Sequence, residues 1–340
     1  MPSQMIFRQF PQRLRSVRKI SLCLVFLGSG IGVIGADPVD ADLMARDNKD
    51  GLWYFDVQRK PFTGEAVSFY SDKQRKFRAS YKDGKRVGLL EAWYENGTSR
   101  AKENYKEGKL DGLVESWYPN GNRKSSAVYK MGSLEGKATE WHSNDQMSIE
   151  GFFTANKPVK TLKHWYENGQ LAKEVHFAAA GVEEGKSQMW YPDGSKKSEA
   201  TYRDGKLEGS VTEWYQDGKK MSVTAFRQGK QEGRAFEWHE NGQRKTEATY
   251  KSGQAHGKQL AWHANGKQKA EATYVGGQVH GAVRKWSETG ILVYEAEWKN
   301  NALDGAYAKW NDKGELIDRK RFAKGKEIKD EAKEKSKPKD

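Results

Sequence analysis

The sequence predicts an all-β fold: an elongated single antiparallel sheet built as an array of β-hairpin repeats. Three observations predict it. Tryptophans recur every 24 residues at Trp93, Trp117, Trp141 and Trp165 and, after one 25-residue step, at Trp190, Trp214, Trp238, Trp262, Trp286 and Trp310, with Phe69 in the same slot one period earlier. A second aromatic stands twelve residues after each Trp, from Tyr105 and Tyr129 to Trp298 and Phe322. Each period also carries two turn signals: Asn96-Gly97, Asn120-Gly121 or Asp217-Gly218 after the Trp, and Asp83-Gly84, Glu107-Gly108 or Asp204-Gly205 after the second aromatic. A short fixed period marks a repeat array, and no window shows apolar residues at helical spacing.

The turns divide each repeat into two short strands. Glycine supplies the positive φ of tight hairpins, and Asn or Asp tolerates it alongside. Runs such as Ser210-Val211-Thr212-Glu213-Trp214-Tyr215 are β-branched and aromatic with polar residues interleaved, as strands are. One hairpin alone is marginal, so neighbouring repeats must support one another. Roughly eleven repeats give about 22 strands at ~4.8 Å, an array of roughly 105 Å that must twist. The glycines at Gly88, Gly112, Gly136, Gly185, Gly209, Gly233, Gly257, Gly281 and Gly305 are expected to permit close approach of backbone or ring.

The pattern W-Y-x-N-G-x-x-K…Y-x-D-G-K-x-x-G resembles the MORN-repeat variant of the YwqK-type antitoxin proteins, and Asp50-Gly51-Leu52-Trp53-Tyr54 with Lys60-Pro61-Phe62-Thr63-Gly64 resembles the start of that family. The resemblance spans roughly residues 46 to 326. It implies scaffolding, protein binding or lipid contact, and it brings no catalytic residues.

Residues 1–36 read as a secretory signal peptide. Arg8, Arg13, Arg15, Arg18 and Lys19 form a basic region, Ile20 to Ile34 is an uncharged, mostly apolar run, and Ile34-Gly35-Ala36 offers small residues for cleavage after Ala36. The competing reading is an uncleaved anchor, although the run is short for a spanning helix. Residues 37–48 read as a polar linker, 49–326 as the array, and 327–340 as a charged disordered tail. The formal charge is +13, and the five basic residues of 1–36 account for part of it, leaving +8 on the exported chain. Cys23 is the only cysteine, so no disulfide or cysteine-ligated zinc holds the fold.

No nucleophile elbow, phosphate loop or H-E-x-x-H motif is present, so the chain reads as non-enzymatic, without cofactor or metal. Of seven histidines, His142, His239 and His263 stand in a Tyr slot, while His256 and His280 stand where Asp111 and Glu208 carry acids. Equivalent slots lie two strands apart, ~9.6 Å, too far for side chains to share one zinc without converging. The candidate partner-binding residues are the Tyr row Tyr94, Tyr118, Tyr166, Tyr191 and Tyr215, and the basic residues Lys196, Lys197, Lys219 and Lys220 that follow the turns. The Trp row reads as the structural bridge between repeats.

The functional expectation is an exported, monomeric scaffold at the cell envelope that binds a protein. An antitoxin that occludes a toxin, and a module for anionic lipid or glycan, are the alternatives; nucleic acid does not suit an exported chain. One joint is expected to be weak. Between Trp141 and Gly185, Asp145, Asn156 and Lys160 replace glycines, Pro158 removes a donor, and the one-residue insertion falls near Ala178-Ala179-Ala180-Gly181.

Overall fold

The computed structural model describes residues 37–55, 60–179 and 181–328. The expected signal peptide with its cleavage site, and residues 329–340 of the tail, lie outside them.

The two turn signals build two kinds of hairpin. After the second aromatic, Asp83 and Gly84 take φ of 49° and 74°, and the flanking Lys82 and Lys85 pair across the ladder. This two-residue turn matches the twist of its strands. After the Trp the loop is longer. The Gly97 N–H donates to the Tyr94 carbonyl (2.9 Å), the Tyr94 N–H donates to the Thr98 carbonyl (2.8 Å), and Trp93 pairs with Ser99. Gly97 closes it at φ 80°, the left-handed residue that ends a three-residue hairpin loop.

Hairpin follows hairpin in one open sheet of 27 strand segments, running from Val39–Asp40 to Lys326–Ile328. Every pairing is antiparallel except that of Val39 and Asp40 with Ala66 and Val67. Three strands are split by a single residue, at Glu208, His256 and His280.

One face carries the buried side chains. Ala66 pairs with Ala79 and Ala92 with Ala101, all four buried, and Tyr81, Leu90, Phe153, Leu162 and Val175 extend the same face. Burial thins along the chain: beyond Val175 only Ala248 and Ala296 are buried among the described hydrophobic residues. The sequence explains why, since the slot of Ala92 becomes Glu213, Glu237 and Lys285 in later repeats.

Two expectations are corrected, and a third is met in its geometry. Residues 37–48 are not merely a linker. They supply the strand Val39–Asp40, a 3-10 turn Ala41–Leu43, and the strand Met44–Arg46, which pairs with Trp53–Phe55 in a small second sheet. Met44, 3 % exposed, joins the cluster of Ala66, Tyr81, Leu90, Ala92 and Ala101, with Trp53 and Phe62 each edge-on to Tyr81 at 5.8 Å. The segment is thus an N-terminal cap, which a repeat array needs because its first hairpin has no predecessor.

The second correction concerns the glycine five residues before each Trp. At Gly88, Gly185, Gly209, Gly257 and Gly281 an added Cβ would meet nothing within 4 Å, yet each holds a φ between 69° and 91°. Conformation, not close approach, selects glycine at these five; at Gly112 and Gly305 an added Cβ would also stand 3.2 Å from Asn104 Cβ and 2.7 Å from Glu297 Cβ, so crowding adds to the requirement there. Gly209→Ala is therefore expected to destabilise by about 1 kcal/mol, and Lys160→Gly, in the one copy forced to φ 60° without glycine, to stabilise by about as much. Urea midpoints of the two variants, moving in opposite directions, check this.

The third expectation concerns the joint. Asp145, Ala155, Asn156 and Lys160 adopt φ of 67°, 48°, 66° and 60°, so the turns keep their geometry at the cost of left-handed strain. The shift between Val175 and Phe177 is the bulge other repeats also carry, and the inserted residue is absorbed by an additional shift between Phe177 and Ala179. The ladder runs through unbroken, and Phe153, Leu162 and Val175 make this one of the better-buried stretches.

Candidate binding surface

The candidate Tyr row lies along the edge formed by the longer turns. Each hydroxyl donates to the carbonyl of the next repeat's Trp: Tyr94 to Trp117 (2.8 Å), Tyr118 to Trp141 (2.9 Å), Tyr166 to Trp190 (2.8 Å), Tyr191 to Trp214 (2.9 Å) and Tyr215 to Trp238 (2.7 Å). Tyr70 begins the ladder on Trp93. His142, His239 and His263 continue it, their Nε2 atoms 3.0, 3.0 and 2.9 Å from the carbonyls of Trp165, Trp262 and Trp286. An imidazole protonated at Nε2 reaches the same acceptor as a phenol, which explains why those histidines share the Tyr slot. All five candidate tyrosines are half-buried, and burial pushes the phenols of Tyr94 and Tyr118 above their usual range.

The turn Asn does a second job. Asn96, Asn120, Asn144, Asn168, Asn241 and Asn265 donate their amides to a carbonyl of the following turn at 2.6–2.9 Å. A carboxylate cannot donate, so the Asp repeats need a substitute: Gln216 donates to Asp193 (2.7 Å), and Lys219 reaches the Glu240 carbonyl (3.1 Å) from beside Asp217.

The candidate lysines are drawn into the same edge. Lys196 lies over the Trp214 ring at 5.4 Å and pairs with Glu199 at 2.9 Å, Lys197 lies over Tyr191 at 5.4 Å, and Lys219 pairs with Asp217 at 2.7 Å. Lys220, opposite Trp214 in the ladder, has no ion pair among the described residues. Arg75, Arg123 and Arg244 stack likewise on Trp93, Trp141 and Trp262. The post-turn basic residues thus serve partly as lids on aromatic rings.

The opposite edge has its own seam. The second turn residue donates its N–H to the preceding hairpin, as Gly229 does to Leu207 and Gly277 to Ala255, both at 2.9 Å. The first turn residue is capped by an acid: Met131 by Asp111, Ala155 by Glu135, Asp204 by Glu184, Gln228 by Glu208, Ser252 by Glu232 and Lys324 by Asp304, at 2.6–3.4 Å. Each acid and the glycine that follows it lie in the bulge of the strand, unpaired in the ladder to the preceding hairpin, as Asp111 and Gly112 do.

The face carrying the Trp row is mostly charged, with cross-strand pairs such as Lys137 with Glu150 at 2.7 Å and Lys258 with Glu271 at 2.8 Å. In the N-terminal repeats it differs. Leu89, Leu113, Val128 and Phe152, 37–45 % exposed, stand four before or eleven after a Trp; Leu113 is directly opposite Val128, whereas Leu89 is opposite Asn104 and Phe152 opposite Lys137. The corresponding slots later hold Lys186 and Thr201, then Arg234 and Thr249. The sequence reading missed this row; its signal was an apolar residue four before, or eleven after, the Trp in successive early repeats.

On the buried face, burial lowers the pKa of His164, with Lys173 adding to the effect. The folded state therefore binds that proton less readily than the unfolded chain, so stability is full above the ordinary His value of about 6.5 and falls as the pH drops through it. His164→Gln should flatten this acid limb, read by melting near pH 7.5 and near pH 5. Among the described residues no group of three or more His, Cys, Asp or Glu is placed to hold a metal ion.

Six segments, 86–107, 110–131, 159–179, 183–204, 231–252 and 279–300, match the MORN repeat variant family. Those six segments are similar to MORN-variant repeats. Such repeats are generally binding scaffolds, and the matched segments each begin near the acid-bearing seam and end at the next short turn. No curated protein matches the sequence. Among solved structures, a mutant Photorhabdus luminescens Tc holotoxin pore is 11 % identical, with 81 % of this chain and 16 % of that one covered at a TM-score of 0.18. The TcdB2–TccC3 structure is 8 % identical, with 77 % and 18 % covered at the same TM-score. Likeness at that level carries no argument, and this chain spans under a fifth of either.

Proposed function

We propose that this MORN-variant array is an exported, non-enzymatic scaffold at the cell envelope whose N-terminal repeats dock a protein. The observation that carries the reading is the exposed apolar row Leu89, Leu113, Val128 and Phe152 on an otherwise ion-paired face. Exposed apolar side chains rimmed by polar ones mark protein-docking surfaces, and here the Leu113–Val128 pair is the centre, with Leu89 and Phe152 set beyond Asn104 and Lys137. Lys160, 4.9 Å from the Phe152 ring and without an ion pair among the described residues, favours a partner with acidic groups around an apolar centre. The Tyr row contributes ring faces at the turn edge, its hydroxyls being occupied.

The test is recovery of partners from envelope extracts with the wild-type chain and with Leu113→Asp/Phe152→Asp. Both substitutions are on exposed positions and leave the buried face intact. Loss of the recovered protein with the variant supports the reading; identical recovery overturns it. N-terminal sequencing of the envelope-associated chain tests export, with Asp37 as the expected first residue and Met1 in a cytosolic fraction as the contrary result. A cytosolic location would favour the antitoxin reading. The lipid or glycan reading rests on Lys196, Lys197, Lys219 and Lys220, of which Lys196 and Lys219 already have carboxylate partners. Binding to anionic vesicles that falls with salt and is lost on changing the four to Gln would favour it.

A further inference from the structure

The acid-bearing seam lacks its acid at Val87, at Val159 and in two consecutive repeats where histidine stands instead. In six repeats a carboxylate accepts the N–H of the first turn residue of the hairpin that follows, and Thr63 does the same for Asp83 at 2.8 Å. In the equivalent slots His256 faces the turn of Gly276 and His280 the turn of Asn300, and among the described residues neither N–H has a hydrogen-bond partner. The backbone is unchanged: Gly276 and Asn300 hold φ of 56° and 51°, against 51° for both Gln228 and Ser252, whose N–H groups are capped. The donor is thus presented in the same geometry with its anion missing.

A cavity of about 230 Å³ opens at that point, lined by Lys251, Ser252, Gln254, His256 and Gly276. Its polar groups are an ammonium, a hydroxyl, an amide, an imidazole and the open N–H. No carboxylate lines it, and the acid one repeat earlier, Glu232, is bonded to the Ser252 N–H at 2.6 Å. We infer that the cavity at His256 and Gly276 is an oxyanion site, in which a carboxylate or phosphate group from outside takes the place held by Asp or Glu elsewhere in the array. The ligand oxygen accepts from Gly276, and Lys251 and His256 supply further donors, the arrangement that makes anion contacts stronger than neutral ones. The Asn300 turn beside His280 repeats the open donor two strands away, ~9.6 Å, a spacing suited to a ligand with two such groups.

Amide chemical shifts of the full chain, titrated with inorganic phosphate and separately with acetate, test this. The Gly276 amide should move and saturate, while those of Gln228 and Ser252, already capped, stay still. Saturation with both probes assigns a general oxyanion site, and with phosphate alone a phosphate site. His256→Glu restores the intramolecular carboxylate and should abolish the response at Gly276 while leaving the turn folded. A Gly276 amide that responds no more than that of Gln228, or that responds equally in His256→Glu, overturns the proposal. Glu107 provides a further control, since Val87 occupies the acid slot there and no cationic side chain replaces it; a Glu107 amide that saturates like Gly276 would equally overturn it.

Discussion

Phe153→Ala is expected to lower the stability of the array by about 3–4 kcal/mol, the usual cost of emptying a buried aromatic site. Phe153 is 3 % exposed, and its ring lies where a Cβ on Gly151 would stand 3.2 Å from it, with Leu162 filling the other side at 2.7 Å from that same point. Nothing adjacent can collapse into the space without breaking the ladder. In an array whose repeats touch only their neighbours, the loss should stay local. Hydrogen exchange should show protection falling across 147–179 in the variant and holding across 244–299. In the wild type, 147–179 should be better protected than 206–238, because the first stretch holds Phe153, Leu162 and Val175 and the second holds no buried hydrophobic side chain. Equal or lower protection across 147–179 would reinstate the weak joint expected from the missing glycines.

Arg86→Ala is expected to cost about 2 kcal/mol and to free the N-terminal cap, because removing the half-buried guanidinium takes a donor from the Tyr105 hydroxyl and a packed cation from the Trp53 and Tyr105 rings. The guanidinium lies 5.2 Å from the Trp53 ring and 5.4 Å from the Tyr105 ring, and donates to the Tyr105 hydroxyl at 3.2 Å. That hydroxyl donates in turn to Glu103 at 2.6 Å. Burial disfavours the charge on Arg86, but the phenol oxygens of Tyr81 and Tyr105 outweigh it and the arginine is held charged. Burial and the Glu103 carboxylate keep the Tyr105 phenol protonated far into alkali. Arg86→Lys should recover little, since an ammonium cannot stack flat between two rings. Trp53 emission shifting to the red, with new proteolytic cleavage between 47 and 52, would register the release; unchanged emission and cleavage would show that Met44 and Phe62 hold the cap alone.

The hairpins were legible because their determinants are local. Asn-Gly and Asp-Gly fix turns within four residues, and the 24-residue period fixes how often they come. What lies between repeats was less so. The bond from Tyr94 to the Trp117 carbonyl spans 23 residues and depends on how one hairpin stacks on the next. The amide of Asn96 reaching Pro119 is equally non-local, and the turn alone already accounts for an Asn at that position. The cap escaped notice because residues 37–48 show neither the period nor a run of apolar residues, and Met44 acquires its burial only from a face built by residues 66–101. The apolar residues Leu89, Leu113, Val128 and Phe152 were visible letter by letter, but only the ladder shows that Leu113 and Val128 are paired while Asn104 and Lys137 stand opposite the other two.

The two seams also set how the chain finds its structure. Their bonds join residues 20 to 24 apart whichever repeat is considered, from Asp83 and Thr63 to Lys324 and Asp304. The entropy of closing each loop is therefore the same at every step and does not grow with the number of repeats. A sheet of this many strands would ordinarily fold slowly, because most large β topologies join distant segments. Here each new hairpin needs only its predecessor as a template. The best-buried repeats and the cap come first in the sequence, so a nascent chain can begin ordering at its N-terminal end and zip forward as it lengthens.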